Sequence, residues 1–153
     1  MMSLAFDVVK RLQGRTLATA ESCTGGGIGD ALTAVPGASN VYKGGVISYC
    51  NEIKEKMLDV PSEILDKYGA VSASVAEAMA RGARVTLGTD IAVSVTGLAG
   101  PSGDEFGNPV GTVHIGYADE NTCISCHFLF HGDRNAVREQ AVASALKLIL
   151  EYA

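Results

Sequence analysis

A serine, Ser22, stands where an apolar segment gives way to glycine-rich sequence. The pattern at 16–19 is typical of a buried strand, and the three glycines at 25–27 favour a tight turn into a helix. A serine on such a turn can act as a nucleophile, while the backbone N–H groups of the turn point toward an anion. The segment does not match G-x-S-x-G, and a second interpretation is that Ser22 or Thr24 caps the following helix.

A serine nucleophile needs a base, and the chain offers lysines and histidines for that role. Lys54 lies on a predicted helix just after a second strand, but its pKa must fall from about 10.4 before it can accept a proton near neutral pH. The alternative interpretation places Lys54 and Lys56 on a solvated helix face. His114 and His127 lie inside predicted strands, where core or edge positions are typical.

The cysteines offer a rival chemistry. Cys23 is a candidate nucleophile, because a helix N-terminus lowers the pKa of a thiol, but a small buried side chain is the alternative. Cys123 and Cys126 form a C-x-x-C within a predicted strand. Their odd offset places the two thiols on opposite faces of the strand, so neither a redox pair nor a zinc site is predicted.

A second glycine-rich segment, 96–111, contains five glycines and can bring its backbone close to a phosphate, a ribose or an oxyanion. It matches neither the dinucleotide fingerprint nor the phosphate loop, and an ordinary surface loop is the alternative. Arg134 and Arg138 stand four residues apart near the start of the last helix. This spacing predicts a phosphate clamp, with a solvated helix face as the alternative.

These residues must be positioned by alternating strands and helices. Strands are predicted at 16–19, 41–49, 90–95, 110–118 and 123–130, and helices at 4–12, 28–35, 51–58, 74–85 and from Asp133 onward. Ser74 and Glu77 are predicted to form a capping box. The four-residue spacer at 119–122 favours an antiparallel hairpin, so the predicted fold is a three-layer α/β/α sandwich with a mixed, mostly parallel sheet.

In such a sheet, ligands bind beyond the carboxyl ends of the parallel strands. Ser22, Tyr49 and Thr96 all fall at or just past predicted strand ends. We therefore expect three hydroxyl groups and two glycine-rich segments to meet at one edge of the sheet.

Composition limits the classes of protein that fit. The 153 residues, 47% hydrophobic and 19% charged, predict one globular domain over 1–153 rather than a disordered chain. A net charge of -5 without a basic stripe argues against nucleic acid as a partner. No apolar run is long enough for a membrane helix, and four irregularly spaced cysteines favour the cytoplasm. Apolar helix faces and hairpin edges also predict a homo-oligomer.

Six sequence blocks, in order, resemble the C-terminal domain family of the competence- and damage-inducible protein CinA, which includes bacterial nicotinamide-nucleotide amidases. The resemblance covers nearly the whole chain. The blocks are Ala20-Glu21-Ser22-Cys23-Thr24-Gly25-Gly26, Val35-Pro36-Gly37-Ala38-Ser39, Ser48-Tyr49 followed by Lys54, Gly69-Ala70-Val71-Ser72, Thr96-Gly97-Leu98-Ala99-Gly100-Pro101 and Pro109-Val110-Gly111-Thr112-Val113.

The resemblance implies an amidohydrolase that converts nicotinamide mononucleotide to nicotinic acid mononucleotide and ammonia without a metal or cofactor. It makes Ser22 the nucleophile, Lys54 the base, and Tyr49 a hydroxyl that orients or relays between them. It also implies a set of substrate-binding residues, which are Cys23, Thr24, Gly25, Gly26, Thr96, Gly97, Ala99, Gly100, Arg134 and Arg138. The first four of these would supply N–H groups to the oxyanion, and an arginine would bind the phosphate.

The sequence departs from the family pattern in two respects, and its glycine-rich segments also suggest a second function. The chain has no counterpart of the N-terminal domain of two-domain members, which predicts the stand-alone amidase type. The segment 101–108 also differs from the familiar form of that loop. The alternative to an amidase is a catalytically inactive nucleotide-binding or regulatory module.

Overall fold

A five-stranded sheet lies between two layers of helices in the computed structural model, which describes residues 1–153. The strands are β1 (Leu17–Glu21), β2 (Tyr42–Ile47), β3 (Ile91–Gly97), β4 (Thr112–Ala118) and β5 (Cys123–Leu129). The helices are α1 (Met2–Arg11), α2 (Gly27–Thr33), α3 (Asn51–Leu58), α4 (Ser62–Tyr68), α5 (Ala73–Leu87) and α6 (Arg134–Tyr152).

The strand order is β2-β1-β3-β4-β5, with β1 parallel to both of its neighbours and β4 antiparallel to both of its own. The predicted mixed sheet with an antiparallel hairpin is therefore confirmed. Glu21, at the end of β1, pairs with Ile47 in β2 and with Val95 in β3. This register brings the residues that follow these three positions to one edge of the sheet.

The two faces of the sheet carry side chains of different size. The helices α1, α2 and α6 cover a core of large aliphatic side chains, whereas α3, α4 and α5 cover a face built partly from alanine. On this second face Ser94 donates a hydrogen bond to the backbone carbonyl of Ala76, so α5 lies directly against β3. None of the six helices is both long and apolar enough to cross a membrane.

Two local predictions about the helices are wrong. The N-cap of α5 is Ser72, whose hydroxyl accepts the Val75 N–H at 3.2 Å. The predicted capping pair, Ser74 and Glu77, lies inside the helix, where the Glu77 carboxylate accepts a hydrogen bond from Ser125 at 2.6 Å. The seven-residue helix α4 was not predicted, because so short a segment shows little periodicity.

Candidate active site

Ser22 directly follows β1, and hydrogen bonds fix both its backbone N–H and its backbone carbonyl. Its N–H donates to the Val95 carbonyl at 3.0 Å, and its own carbonyl accepts the Gly25 N–H at 3.1 Å. The residue is 8% exposed and lines a cavity of about 370 Å³ at the carboxyl edge of the parallel strands. Tyr49 and Thr96 line the same cavity, so the predicted meeting of the three hydroxyl-bearing residues is confirmed.

The side chain of Lys54 reaches Ser22 directly. Its Nζ atom lies 3.2 Å from the Ser22 hydroxyl and 2.8 Å from the Ser48 carbonyl oxygen. Lys54 is 1% exposed and shares the inward face of α3 with Leu58. The interpretation of Lys54 as part of a solvated helix face is therefore wrong, although Lys56 on the same helix is exposed.

Burial lowers the pKa of Lys54 below its ordinary value, because the ammonium form loses its hydration. No carboxylate lies within 4 Å to compensate, since the one ion pair of the protein joins Arg15 and Glu120. A buried lysine without a counter-ion favours the neutral amine, which can accept a proton. The Lys54 amine can thus serve as the base for the Ser22 hydroxyl.

The turn after Ser22 is held by a carboxylate that is not among the predicted site residues. Glu21 is 2% exposed and accepts hydrogen bonds from the Thr24 hydroxyl at 2.7 Å and from the N–H groups of Ile28 and Gly29 at 2.8 and 3.0 Å. Glu21 therefore satisfies the first N–H groups of α2, and the proposed cap by Ser22 or Thr24 is wrong. The sequence contained a signal for this role. The first N–H groups of a helix need acceptors, and glycines at its start have no side chain that could accept them, so another nearby side chain must do so.

The glycines of this turn shape the backbone and do not line the Ser22 cavity. Gly25 and Gly26 have φ values of 58° and 102°, in the left-handed region that side chains disfavour. Of the four residues predicted to supply N–H groups, only Cys23 lines the cavity. The prediction that Thr24, Gly25 and Gly26 contact the substrate is therefore not supported by the geometry.

The second glycine-rich segment lines the cavity as predicted. Thr96, Gly97, Ala99 and Gly100 all contribute to its wall. The Thr96 hydroxyl itself donates to the Ala70 carbonyl at 2.7 Å, so it ties this wall of the cavity to the segment before α5. Lining residues that were not predicted are Asn51, Ala70, Val71, Leu98, Pro101 and Ser102.

Backbone N–H groups from both glycine-rich segments are available to an oxyanion. Cys23 and Ala99 line the cavity, and neither N–H donates to a backbone carbonyl. The Gly25 N–H is already used by the Ser22 carbonyl. N–H groups at the cavity wall that donate to no other group are candidates to stabilise the oxyanion that develops in acyl transfer.

Tyr49 pairs with Arg134 at the mouth of the cavity. Its hydroxyl accepts a hydrogen bond from the Arg134 guanidinium at 2.9 Å, and the same guanidinium donates to the Gly100 carbonyl. Tyr49 is 61% exposed and makes no hydrogen bond with Ser22 or Lys54, which contact each other directly. The predicted relay through Tyr49 is not the arrangement found here.

Arg138 lies behind the Ser22 turn and not in the cavity. Its guanidinium donates to the carbonyls of Cys23 at 3.0 Å and Thr24 at 3.3 Å. It lines a separate, larger cavity of about 590 Å³ that includes neither Ser22 nor Lys54. The predicted two-arginine clamp is therefore wrong, because the Cys23 and Thr24 carbonyls hold the Arg138 guanidinium behind the turn. Arg134 alone faces the candidate site.

Histidine does not contribute to this cavity. The rings of His114 and His127 stack on each other across the β4–β5 hairpin, with centroids 4.8 Å apart, and no histidine lines the cavity. No group of three or more His, Cys, Asp or Glu side chains is arranged to hold a metal ion. The base nearest to Ser22 is thus Lys54.

The Cys23 thiol lines the cavity beside Ser22 but is poorly suited to act as a nucleophile. Burial raises its pKa to about 11, so the thiol stays protonated near neutral pH. The other three cysteines are also free, and Cys50 is exposed. A neutral buried thiol beside an available serine favours serine chemistry.

This difference predicts the order in which the thiols react. Iodoacetamide at pH 7.5 is expected to alkylate Cys50 first and to leave Cys23 unmodified, because alkylation requires an accessible thiolate. Peptide mass spectrometry of the native protein measures this order, and the same reaction in urea should label both residues. Rapid labelling of Cys23 in the native protein would contradict the neutral thiol.

Comparison with known proteins identifies relatives over nearly the full length of the chain. The sequence matches the model of the CinA C-terminal domain over residues 2–153. It is 51% identical over 152 residues to a CinA-like protein of Synechococcus sp. (strain RCC307), covering 96% of this chain and 36% of that protein. The chain thus spans about a third of the length of the curated relatives that it matches.

Solved structures agree with the sequence comparison. A competence-damaged protein (CinA) superfamily protein from Escherichia coli superimposes with a TM-score of 0.97 at 34% identity, covering 99% of this chain and 90% of that one. The competence/damage-inducible protein CihA from Agrobacterium tumefaciens gives a TM-score of 0.94 at 36% identity, with 98% and 93% of the two chains covered. The match in sequence, topology and fold shows that this chain belongs to the CinA C-terminal domain family.

Proposed function

We propose that the chain is an amidohydrolase that converts nicotinamide mononucleotide to nicotinic acid mononucleotide and ammonia. The observation that carries the proposal is the buried contact of 3.2 Å between Lys54 Nζ and the Ser22 hydroxyl. A base within hydrogen-bond reach of a serine at the edge of a cavity is the arrangement that acyl transfer requires. The identity of the substrate is inferred from the resemblance of the sequence blocks to nicotinamide-nucleotide amidases.

In the acylation step the Ser22 oxygen attacks the carboxamide carbon, and its proton moves to the neutral Lys54 amine. The carbonyl oxygen becomes an oxyanion, for which the N–H groups of Cys23 and Ala99 are the available donors. Each well-placed donor contributes about 3 kcal/mol to stabilising such a charge. The Lys54 ammonium then gives its proton to the departing nitrogen, so ammonia leaves and an ester on Ser22 remains.

Deacylation repeats the proton transfers with water in place of serine. Water attacks the ester carbon while Lys54 accepts its proton, and the Ser22 oxygen leaves and recovers a proton from Lys54. The products are the free carboxylic acid, which releases its proton to the solvent, and the original hydroxyl, so no electrons are exchanged in the cycle. A single base serves both half-reactions because it is restored after each.

Arg134 is the cationic group best placed for the phosphate. Its guanidinium lies at the cavity mouth, where the Tyr49 hydroxyl and the Gly100 carbonyl hold it in place. Guanidinium groups bind phosphate through paired, charge-assisted hydrogen bonds. The anionic end of a mononucleotide would then lie at the rim of the cavity and its carboxamide at Ser22.

The test is the purified chain incubated with nicotinamide mononucleotide in the presence of a chelator. We expect ammonia and nicotinic acid mononucleotide in equal amounts, measured by a coupled ammonia assay and by chromatography. Calorimetric binding of the nucleotide without any turnover would overturn the amidase and support the nucleotide-binding module instead.

Replacement of Arg134 by alanine is expected to raise KM for nicotinamide mononucleotide about 10- to 100-fold, because hydrogen bonds to a charged group are lost. Turnover of nicotinamide riboside, which lacks the phosphate, should change little. The measurement is kcat/KM for both substrates in the wild type, Arg134→Ala and Arg15→Ala. Arg15→Ala removes a surface guanidinium far from the cavity and serves as the control. An equal fall in kcat/KM for both substrates in Arg134→Ala would argue against a phosphate contact.

A further inference from the structure

The hydroxyl of Ser48 is buried without a hydrogen-bond partner. Ser48 is fully buried, and its Oγ atom is one of two buried side-chain polar atoms in the protein that make no hydrogen bond. The other is Nδ1 of His114, on β4. A buried hydroxyl without a partner is costly, so a role that appears only in another state of the site would account for it.

The backbone of Ser48 connects the two reacting residues. Its N–H donates to the Glu21 carbonyl at 2.8 Å, next to Ser22, and its carbonyl accepts a hydrogen bond from Lys54 Nζ at 2.8 Å. The residue is therefore fixed relative to both ends of the proton transfer. Its hydroxyl belongs to the same residue as an acceptor that already holds the Lys54 amine.

The charge on Lys54 changes during the reaction. A neutral amine has two N–H groups and one lone pair, and the lone pair must face the Ser22 hydroxyl when that proton is taken. After the transfer, the ammonium has three N–H groups. Ser22 and the Ser48 carbonyl are the two partners of the nitrogen in both states, so one N–H lacks an acceptor, and a hydrogen bond from that N–H is stronger once the group is charged.

Neighbouring side chains are already engaged. The Tyr49 hydroxyl accepts from Arg134, and the Thr96 hydroxyl donates to Ala70. The Glu21 carboxylate has three donors of its own. The other titratable groups near Lys54 are the thiols of Cys23 and Cys50. Ser48 contacts Lys54 through its carbonyl, and among buried side-chain polar atoms its hydroxyl is the one at this site without a partner.

We propose that Ser48 is a positioning residue whose hydroxyl turns to accept the third N–H of the Lys54 ammonium formed when Ser22 is deprotonated. The proposal rests on the amidase function only for its kinetic consequence, since the hydrogen bond to Lys54 is a property of the protein itself. A hydrogen bond to the charged ammonium is stronger than one to the neutral amine, so the hydroxyl stabilises the charged state more.

The direct test is the pKa of Lys54, measured by NMR titration of protein carrying lysine labelled with ¹³C at Cε. The Lys54→Met variant identifies the resonance. In Ser48→Ala the pKa of Lys54 should fall by about one unit, because the hydrogen bond lost by the ammonium is stronger than any lost by the neutral amine. In Ser48→Thr the hydroxyl returns, and the pKa should return toward the wild-type value. Ser94→Ala removes a buried hydroxyl from β3 and should leave it unchanged.

Kinetics give the second readout. In Ser48→Ala, kcat at the alkaline plateau should fall about tenfold and the acid limb of the pH profile should move to lower pH, with the melting temperature preserved. An unchanged Lys54 pKa in folded Ser48→Ala overturns the proposal whatever the turnover. A lowered Lys54 pKa in a protein that does not hydrolyse the nucleotide supports the role of Ser48 and overturns the amidase alone.

Discussion

Ser22→Ala is expected to lower ammonia release from nicotinamide mononucleotide by at least about 10³-fold while leaving the fold intact. Without the hydroxyl no acyl-enzyme forms, and only binding and oxyanion stabilisation remain to assist attack by water. The backbone hydrogen bonds of Ser22 to Val95 and Gly25 do not involve its side chain, so the turn should keep its conformation. Steady-state ammonia release by both proteins is the measurement.

Two controls separate loss of the nucleophile from general damage. Ser94→Ala also removes a buried serine hydroxyl, but from a position against α5, and it should retain activity. Rapid quenching followed by intact-protein mass spectrometry should detect the acyl adduct in the wild type and not in Ser22→Ala. If Ser22→Ala keeps its activity and Cys23→Ala loses it, the enzyme is a cysteine hydrolase.

Lys54→Met is expected to reduce kcat by about 10³-fold or more, since the Ser22 hydroxyl loses the group that takes its proton. Methionine has a similar length and an apolar end, so it should fill the buried space that Lys54 occupies. The variant should therefore fold, and removal of a buried amine should not lower its thermal stability. The measurements are single-turnover kinetics and thermal unfolding.

The pH profile tests the same role of Lys54 in the wild type. Only the neutral amine accepts a proton, so kcat/KM should rise with pH through the pKa of Lys54 and then level off. Burial lowers that pKa, so the midpoint of the rise should lie below the pH of about 10.4 at which a free lysine titrates. The residual activity of Lys54→Met should lack this limb. A wild-type profile that is flat through this range would contradict lysine as the base.

Local sequence determined the elements and the edge of the sheet at which the site lies. Strand and helix periodicities depend on residues that are close in sequence. The alternation of strands and helices could therefore be predicted, including the bounds of α3. The four-residue spacer between β4 and β5 leaves room for a hairpin but not for a crossover helix. Because parallel strands end at one edge, the meeting of Ser22, Tyr49 and Thr96 followed from their positions alone.

Tertiary packing alone decided which polar side chains face the cavity. Lys54 and Lys56 lie on one short helix with similar neighbours, and the packing of α3 against α5 buries the first and leaves the second exposed. In the same way, packing in the core fixes the position of α6 along the sheet. That position brings Arg134 to the cavity and Arg138 to the back of the Ser22 turn.

The roles of Glu21 and Ser48 also depend on distances between separate segments. Glu21 satisfies N–H groups up to eight residues away, and Ser48 meets Lys54 only because the chain turns back from β2 into α3. Periodicity reports which face of an element is apolar, but not which partner a buried polar group finds. Those partners are set by the packing of α2 against the sheet and of α3 against α5, which no local pattern specifies.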